Sequence, residues 1–233
     1  MEAIGISKIG LVRKQNEDRF HIGSSYCLIA DGMGGYKGGE VASTVAVDSV
    51  RKAMEEAEKP LSETSLREAV LTSNEAIYRK MKNQEGLEGM GTTLVLAAVQ
   101  ANHLLWANVG DSRLYVFRDG HLYQITTDHS VVQDMVDSGE LTEEEASQSP
   151  KRNVLTRAVG IAPILAVDTG TVEIATGDRI LLCSDGLSGY IRNDIIESNM
   201  QAEESNEQLL DNLVNLVYDQ GARDNVTIIV GTI

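Results

Sequence analysis

Between residues 92 and 125 four short β-rich runs follow one another with almost nothing between them. They cover 92–99, 103–109, 113–118 and 121–125. Ala101-Asn102 and Asp119-Gly120 separate two of the pairs, and Asp-Gly is a strong hairpin signal. The four runs read as an antiparallel meander, and the rest of the chain must be fitted around it.

Before the meander the sequence predicts a strand over 2–9 and a hairpin of 20–23 with 26–30 around Ser24-Ser25. From Glu40 to about Lys59, Val41, Val45, Ala46, Val50, Ala53, Met54 and Ala57 recur at helical spacing, and Pro60 stops the pattern. Ser62 is the expected N-cap of a second helix reaching about Asn83. After the meander come a short helix over 130–138, a capping box at Thr142 and Glu145, and an aperiodic stretch over 147–153. Strands return at 166–174 and 179–184. A helix from about Asn193 and a longer one opened by Ser205 and Gln208 follow, and a strand over 226–230 comes last. Helices occur in pairs between blocks of strands rather than alternating with them, so the fold class is α+β and not doubly wound. With only 3 prolines and no Ser/Gly-rich tract to serve as a linker, residues 1–233 read as one domain, with 130–160 as a flap or insert.

Composition narrows the function. Lys and Arg number 20 against 35 Asp and Glu, a formal charge of −15 that would repel nucleic acid and anionic lipid. Cys27 and Cys183 lie in apolar strand-like runs and are expected to be buried thiols, which suits a reducing compartment. The first residues lack a basic, then apolar, leader, and no run approaches the ~18 apolar residues that span a bilayer. The expectation is a cytoplasmic protein.

Acids sit repeatedly at strand junctions. Asp31 follows 26–30 and precedes Gly32; Asp111 lies between the second and third runs of the meander; Asp185 follows 179–184; Asp224 precedes the last strand, and Glu17-Asp18 the second. One such Asp is ordinary turn chemistry. Five such junctions in one sheet-rich domain could gather at one edge of a sandwich, where carboxylates repel unless a cation neutralises them. Oxygen ligands without thiolate or imidazole suit Mg²⁺ or Mn²⁺, and the four histidines show no zinc spacing. Two such ions about 3.5–4 Å apart activate water, most often for phosphoester hydrolysis.

Read in order, Arg13, Asn16, Glu17 and Asp18; Asp31-Gly32-Met33-Gly34-Gly35; Gly91-Thr92-Thr93; Gly110-Asp111-Ser112-Arg113; Asp128-His129-Ser130; Asn153 to Arg157; Ser184-Asp185-Gly186; and Asp224-Asn225-Val226-Thr227 form one ordered set. The chain resembles the bacterial type 2C metal-dependent serine/threonine protein phosphatases over nearly its whole length. The resemblance implies a four-layer α/β/β/α sandwich of two antiparallel sheets flanked by helix pairs, with the flap beside the active site. It implies that Asp31 bridges two metal ions, Mn²⁺ or Mg²⁺, and that the Gly32 carbonyl binds the second. Asp185 and Asp224 would complete the first ion's shell, with Asp18 acting there through water and Glu17 as its neighbour. Asp111, sharing Asp185, would hold a third, weaker ion, and Arg13 would grip the substrate phosphate, where a planar fork suits two oxygens. Phosphorylated proteins are the implied substrates, a bacterial serine/threonine kinase the implied opponent, and a monomer the default.

Two positions depart from the family. Met33 and Tyr36 stand where relatives carry histidine. The proton for the leaving group then falls first to water on the metal and second to His129. Two rival readings stay open here. One is a catalytically dead binding module, against which Asp31, Asp185, Asp224 and Arg13 all speak. The other is a phosphatase of anti-sigma-factor antagonists, whose members usually lack the arginine found here as Arg13. Asp134, Asp137 and Glu140 of the flap are expected to influence substrate choice.

Overall fold

The computed structural model describes residues 1–35, 37–57, 60–202 and 205–233. In chain order the elements are β1 (Glu2–Lys8), β2 (Asp18–Ile22), β3 (Tyr26–Met33), α1 (Gly38–Glu56), α2 (Glu63–Asn83), β4 (Gly91–Thr92), β5 (Leu94–Gln100), β6 (His103–Val109), β7 (Arg113–Arg118), β8 (His121–Gln124), α3 (Val131–Asp137), α4 (Glu143–Gln148), β9 (Asp168–Glu173), β10 (Arg179–Cys183), α5 (Asp185–Ser188), α6 (Asn193–Gln201), α7 (Asn206–Asp219) and β11 (Val226–Thr232). One antiparallel sheet has the order β1-β11-β10-β7-β8. The other has the order β2-β3-β5-β6-β9, with β4 added to the far end of β3.

Strand alternation builds the layers. Along β3, Leu28 and Ala30 point to a core shared with Val50 of α1 and Leu66 of α2, while Cys27 and Ile29 point to Leu182 and Ile229 of the other sheet. Along β11, Val226, Ile228 and Val230 face Ile196, Leu209 and Leu213 of α6 and α7, and Ile229 faces inward. The four-layer α+β sandwich follows, with each wholly buried Leu or Ile contributing about 1.5–3 kcal/mol. Both cysteines are free and buried, and burial pushes each thiol up to about 12. The helix starts read from Ser62, Thr142 and Ser205 are all capped by those side chains. Among the described residues no helix is long and apolar enough to cross a membrane.

The structure corrects the sequence reading at three places. The meander is split: β5 and β6 lie in one sheet, β7 and β8 in the other, and the chain changes sheets at Gly110-Asp111-Ser112. Gly110 makes that passage at φ +104°, and a Cβ there would stand 2.7 Å from Thr93 Cβ. Second, β3 does not stop at Ala30 but runs on to Met33, because β4 pairs with its end; Asp31 is therefore inside a strand. Third, α1 begins at Gly38 rather than Glu40 and ends at Glu56, and the expected positions 58 and 59 lie outside the described residues. The four-residue helix α5 had no signal that separated it from a turn.

Candidate active site

Both sheets deliver carboxylates to one rim. In the first sheet the end of β10 lies between the start of β7 and the start of β11, with Cys183 paired to Arg113 and to Ile228. Asp185, Asp111 and Asp224 flank these three strand ends. In the other sheet Asp18 and Asp31 are direct cross-strand partners of β2 and β3. Like charges placed opposite each other destabilise a sheet, so this pairing is a local cost.

The two halves are tied through Asp18, which is 1% exposed. Its Oδ2 accepts Ser184 Oγ at 2.8 Å and Thr227 Oγ1 at 2.7 Å, both from the opposite sheet. Its Oδ1 is buried and finds no hydrogen-bond partner among the described residues. Asp31 is fixed from behind by Thr93: its N–H donates to Thr93 Oγ1 at 3.0 Å and its carbonyl accepts from Thr93 N–H at 2.8 Å. Next to it, a Cβ on Gly32 would stand 2.1 Å from the Gly39 carbonyl oxygen and 2.7 Å from that of Glu17. Backbone meets backbone where β3 gives way to α1, so the glycines after Asp31 do more than turn the chain.

Burial, then the other acids, push the carboxyls of Asp31 and Asp185 well above the usual range. Burial, then Asp128, raises Asp111 to about 7. Burial also raises Asp18, against the hydroxyls of Thr227 and Ser184. No three acidic, imidazole or thiol groups among the described residues form a closed metal-ligand set. A cation of the chain reaches the group. Arg13 Nη2 contacts Asp224 Oδ2 at 2.6 Å, with the arginine side chain 49% exposed. Glu17 stands beside this group, its carboxyl raised by burial, and its backbone N–H donates to Asn225 Oδ1 at 2.9 Å.

The family model described as Protein phosphatase 2C matches residues 13–228. The chain belongs to the protein phosphatase 2C family. It is 35% identical to the serine/threonine phosphatase stp of Listeria welshimeri, over 95% of this chain and 91% of that protein. The crystal structure of the Mycobacterium tuberculosis serine/threonine phosphatase PstP/Ppp superposes with a TM-score of 0.93 at 37% identity, covering 100% of this chain and 98% of that one. A PstP catalytic domain in complex with two manganese ions matches at a TM-score of 0.90 and 37% identity, over 98% of this chain and 96% of that one.

This serine/threonine phosphatase of the 2C type brings Asp18, Asp31, Asp111, Asp185 and Asp224 into one electrostatic group with Arg13. A cleft of about 1020 Å³ opens from Asp111 and Asp185 between the 130–153 segment and the start of α6, where Arg152, Tyr190 and Arg192 line it. Asp134, Asp137 and Glu140 are exposed and are not among its lining side chains. Tyr36 lies outside the described residues. His129 is buried with both ring nitrogens engaged, Nδ1 by Gly110 and Nε2 by Asp168, so it has no free proton to offer a leaving group. Sequence reasoning missed Thr93, Ser184, Thr227 and Asn225 as supports; the signal for Ser184, Asn225 and Thr227 was a motif shared with an acid, and Thr93 had none.

The raised acids set a pH dependence for the metal-free phosphatase. Asp111 keeps its proton up to about pH 7 when folded but loses it near pH 4 when unfolded. The folded state then binds more protons, so stability falls as pH rises through that window. Burial lowers His129 and His21, which act in the opposite sense below about pH 6.5. Comparison with Asp111→Asn reads this acid together with its upward push on Asp185 and Asp31, which acts in the same sense. In chelator, the wild-type melting temperature minus that of Asp111→Asn should be smaller at pH 7.5 than at pH 5.5. A difference constant across that range would show that Asp111 titrates normally.

Proposed function

We propose that Asp18, Asp31, Asp185, Asp224 and the Gly32 carbonyl hold two divalent cations, Mn²⁺ or Mg²⁺, and that Asp111, with Asp185, holds a third more weakly. One observation carries this reading: Asp18 Oδ1 is buried without a partner at the rim where five aspartates from two sheets interact. A buried acceptor with no donor is costly, and a cation or its water satisfies it. The donors are all oxygens, which suits hard ions. When bound, such a pair lowers the pKa of a shared water and supplies a hydroxide-like nucleophile near neutral pH.

The chain's own residues do the rest. Arg13 is half-exposed and engaged only through Asp224 among the hydrogen bonds of its side chain described here. With Asp224 engaged as a metal ligand, the guanidinium fork of Arg13 would be free to bind and orient the phosphoryl group. Glu17 keeps the loop that carries Arg13 in register through Asn225, whose Nδ2 also donates to the carbonyls of Ile9 and Gln15. Met33 has no proton to give and both nitrogens of His129 are engaged, so the leaving alkoxide takes its proton from water. No nucleophilic cysteine is needed, since Cys27 and Cys183 are buried thiols.

On this reading residues 1–233 form one catalytic domain, 130–160 is a flap beside the cleft, and Glu17 belongs to the metal shell. The substrates are phosphoserine and phosphothreonine proteins, and the protein acts as a cytoplasmic monomer opposing a bacterial serine/threonine kinase. The names of the relatives, serine/threonine phosphatases, support the substrate class. Phosphate release from a phosphothreonine peptide should depend on Mn²⁺, with chelation lowering it about 100-fold or more. Activity that survives complete chelation would overturn the metal site.

A further inference from the structure

His129 stands outside the ring of acids, yet it holds the residue that delivers one of them. Its side chain is buried. Its Nδ1 accepts the Gly110 N–H at 3.1 Å, and its own backbone N–H donates to the Gly110 carbonyl at 2.9 Å. One residue therefore grips both polar groups of Gly110, and Asn108 Nδ2 adds a longer bond of 3.4 Å to the same carbonyl. On the far side of the ring, Nε2 lies 3.1 Å from Asp168 Oδ2, and Asp168 is itself held by Arg157 at 2.6 Å. An acceptor at Nδ1 requires the ring proton on Nε2, where it donates to Asp168.

The grip answers a need created by Gly110. Thr93 and the φ of +104° admit only glycine there, and glycine leaves the backbone soft at the joint just before Asp111. The carbonyl of His129 also accepts Thr156 N–H at 2.9 Å, and Ser130 bridges Leu155, so both roots of the 130–157 segment meet at this residue. We propose that His129 is a positioning residue: through Nδ1 and its backbone N–H it clamps Gly110, fixing Asp111 relative to the root of the 130–157 segment. The inference rests on the reading of Asp111 as the acid of the weakest cation.

Two substitutions divide the ring's functions. His129→Asn keeps an acceptor near the Nδ1 position but cannot reach Asp168. His129→Gln reaches Asp168 with its terminal amide but has no acceptor beside Gly110. Calorimetric titration with Mn²⁺ and steady-state hydrolysis of para-nitrophenyl phosphate are the readouts. His129→Gln should weaken the weakest Mn²⁺ step and lower kcat by about 10-fold or more, as loss of an outer support does. His129→Asn should hold both within about threefold of wild type. Equal losses, or the reverse order, overturn the clamp. Nitrogen NMR of the wild-type imidazole decides the matter even if a variant fails to fold: a proton on Nδ1 is incompatible with the grip. Asp111→Asn separates the two levels. If it leaves the weakest Mn²⁺ step intact, the reading of Asp111 fails and the clamp loses its object. If it abolishes that step while both His129 variants retain it, the clamp alone falls.

Discussion

Asp31→Asn should lower hydrolysis of para-nitrophenyl phosphate in saturating Mn²⁺ by about 10³-fold, the equivalent of about 4 kcal/mol of lost charge stabilisation. Asn keeps the size of Asp31 and the backbone bonds with Thr93, so the fold should persist. It removes the charge opposite Asp18 and beside Asp185, both of which push Asp31 upward. In chelator the variant should therefore melt at the same temperature as wild type or higher, whereas wild type alone should gain markedly from Mn²⁺. The two results together distinguish a lost ligand from a damaged fold. Full activity in Asp31→Asn would remove Asp31 from the centre of the reaction.

Gly32→Ala should have the largest effect on stability. The added methyl would stand 2.1 Å from the Gly39 carbonyl oxygen and 2.7 Å from the Glu17 carbonyl oxygen. Both obstacles are backbone, so no side chain can swing aside, and overpacking of this kind costs about 3 kcal/mol or more. For a chain of this size that is a fall of roughly 6–12 °C in melting temperature. Gly35→Ala is the control, because a Cβ there meets nothing within 4 Å; its change should stay within about 0.5 kcal/mol. Equal stability of the two variants would mean that β3 and α1 separate readily at this point.

The acids were legible because chemistry limits what a carboxylate at a strand junction can do, and five of them in order were more than turns require. Their supports were not. Thr93, Ser184 and Thr227 are uncharged and common; strand pairing with β4 and β5 sets Thr93 against Asp31, and only the approach of the second sheet turns the hydroxyls of Ser184 and Thr227 toward Asp18. The same distinction explains the meander. Four β-rich runs with short connectors state that strands follow strands, but they do not say at which connector the chain changes sheets. That choice depends on Gly110 fitting against Thr93, seventeen residues away in sequence. Glycine after an apolar run suggests a turn and hence a strand end at Asp31; pairing with Gly91-Thr92 carries the strand onward. His129 was weighed as an acid because histidine so often is one, and only its two hydrogen-bond partners show that it is a support.

The strand that carries Asp224 to the rim is the last of the chain, yet it occupies the interior of its sheet, between β1 and β10. Its neighbours begin at residues 2 and 179, so the first sheet has a gap until Val226–Thr232 is inserted. Such pairings join distant parts of the chain, and contacts of high sequence separation form slowly. Bringing Asp224 to the other acids is therefore a long-range event that waits on the pairing of β11 with both β1 and β10.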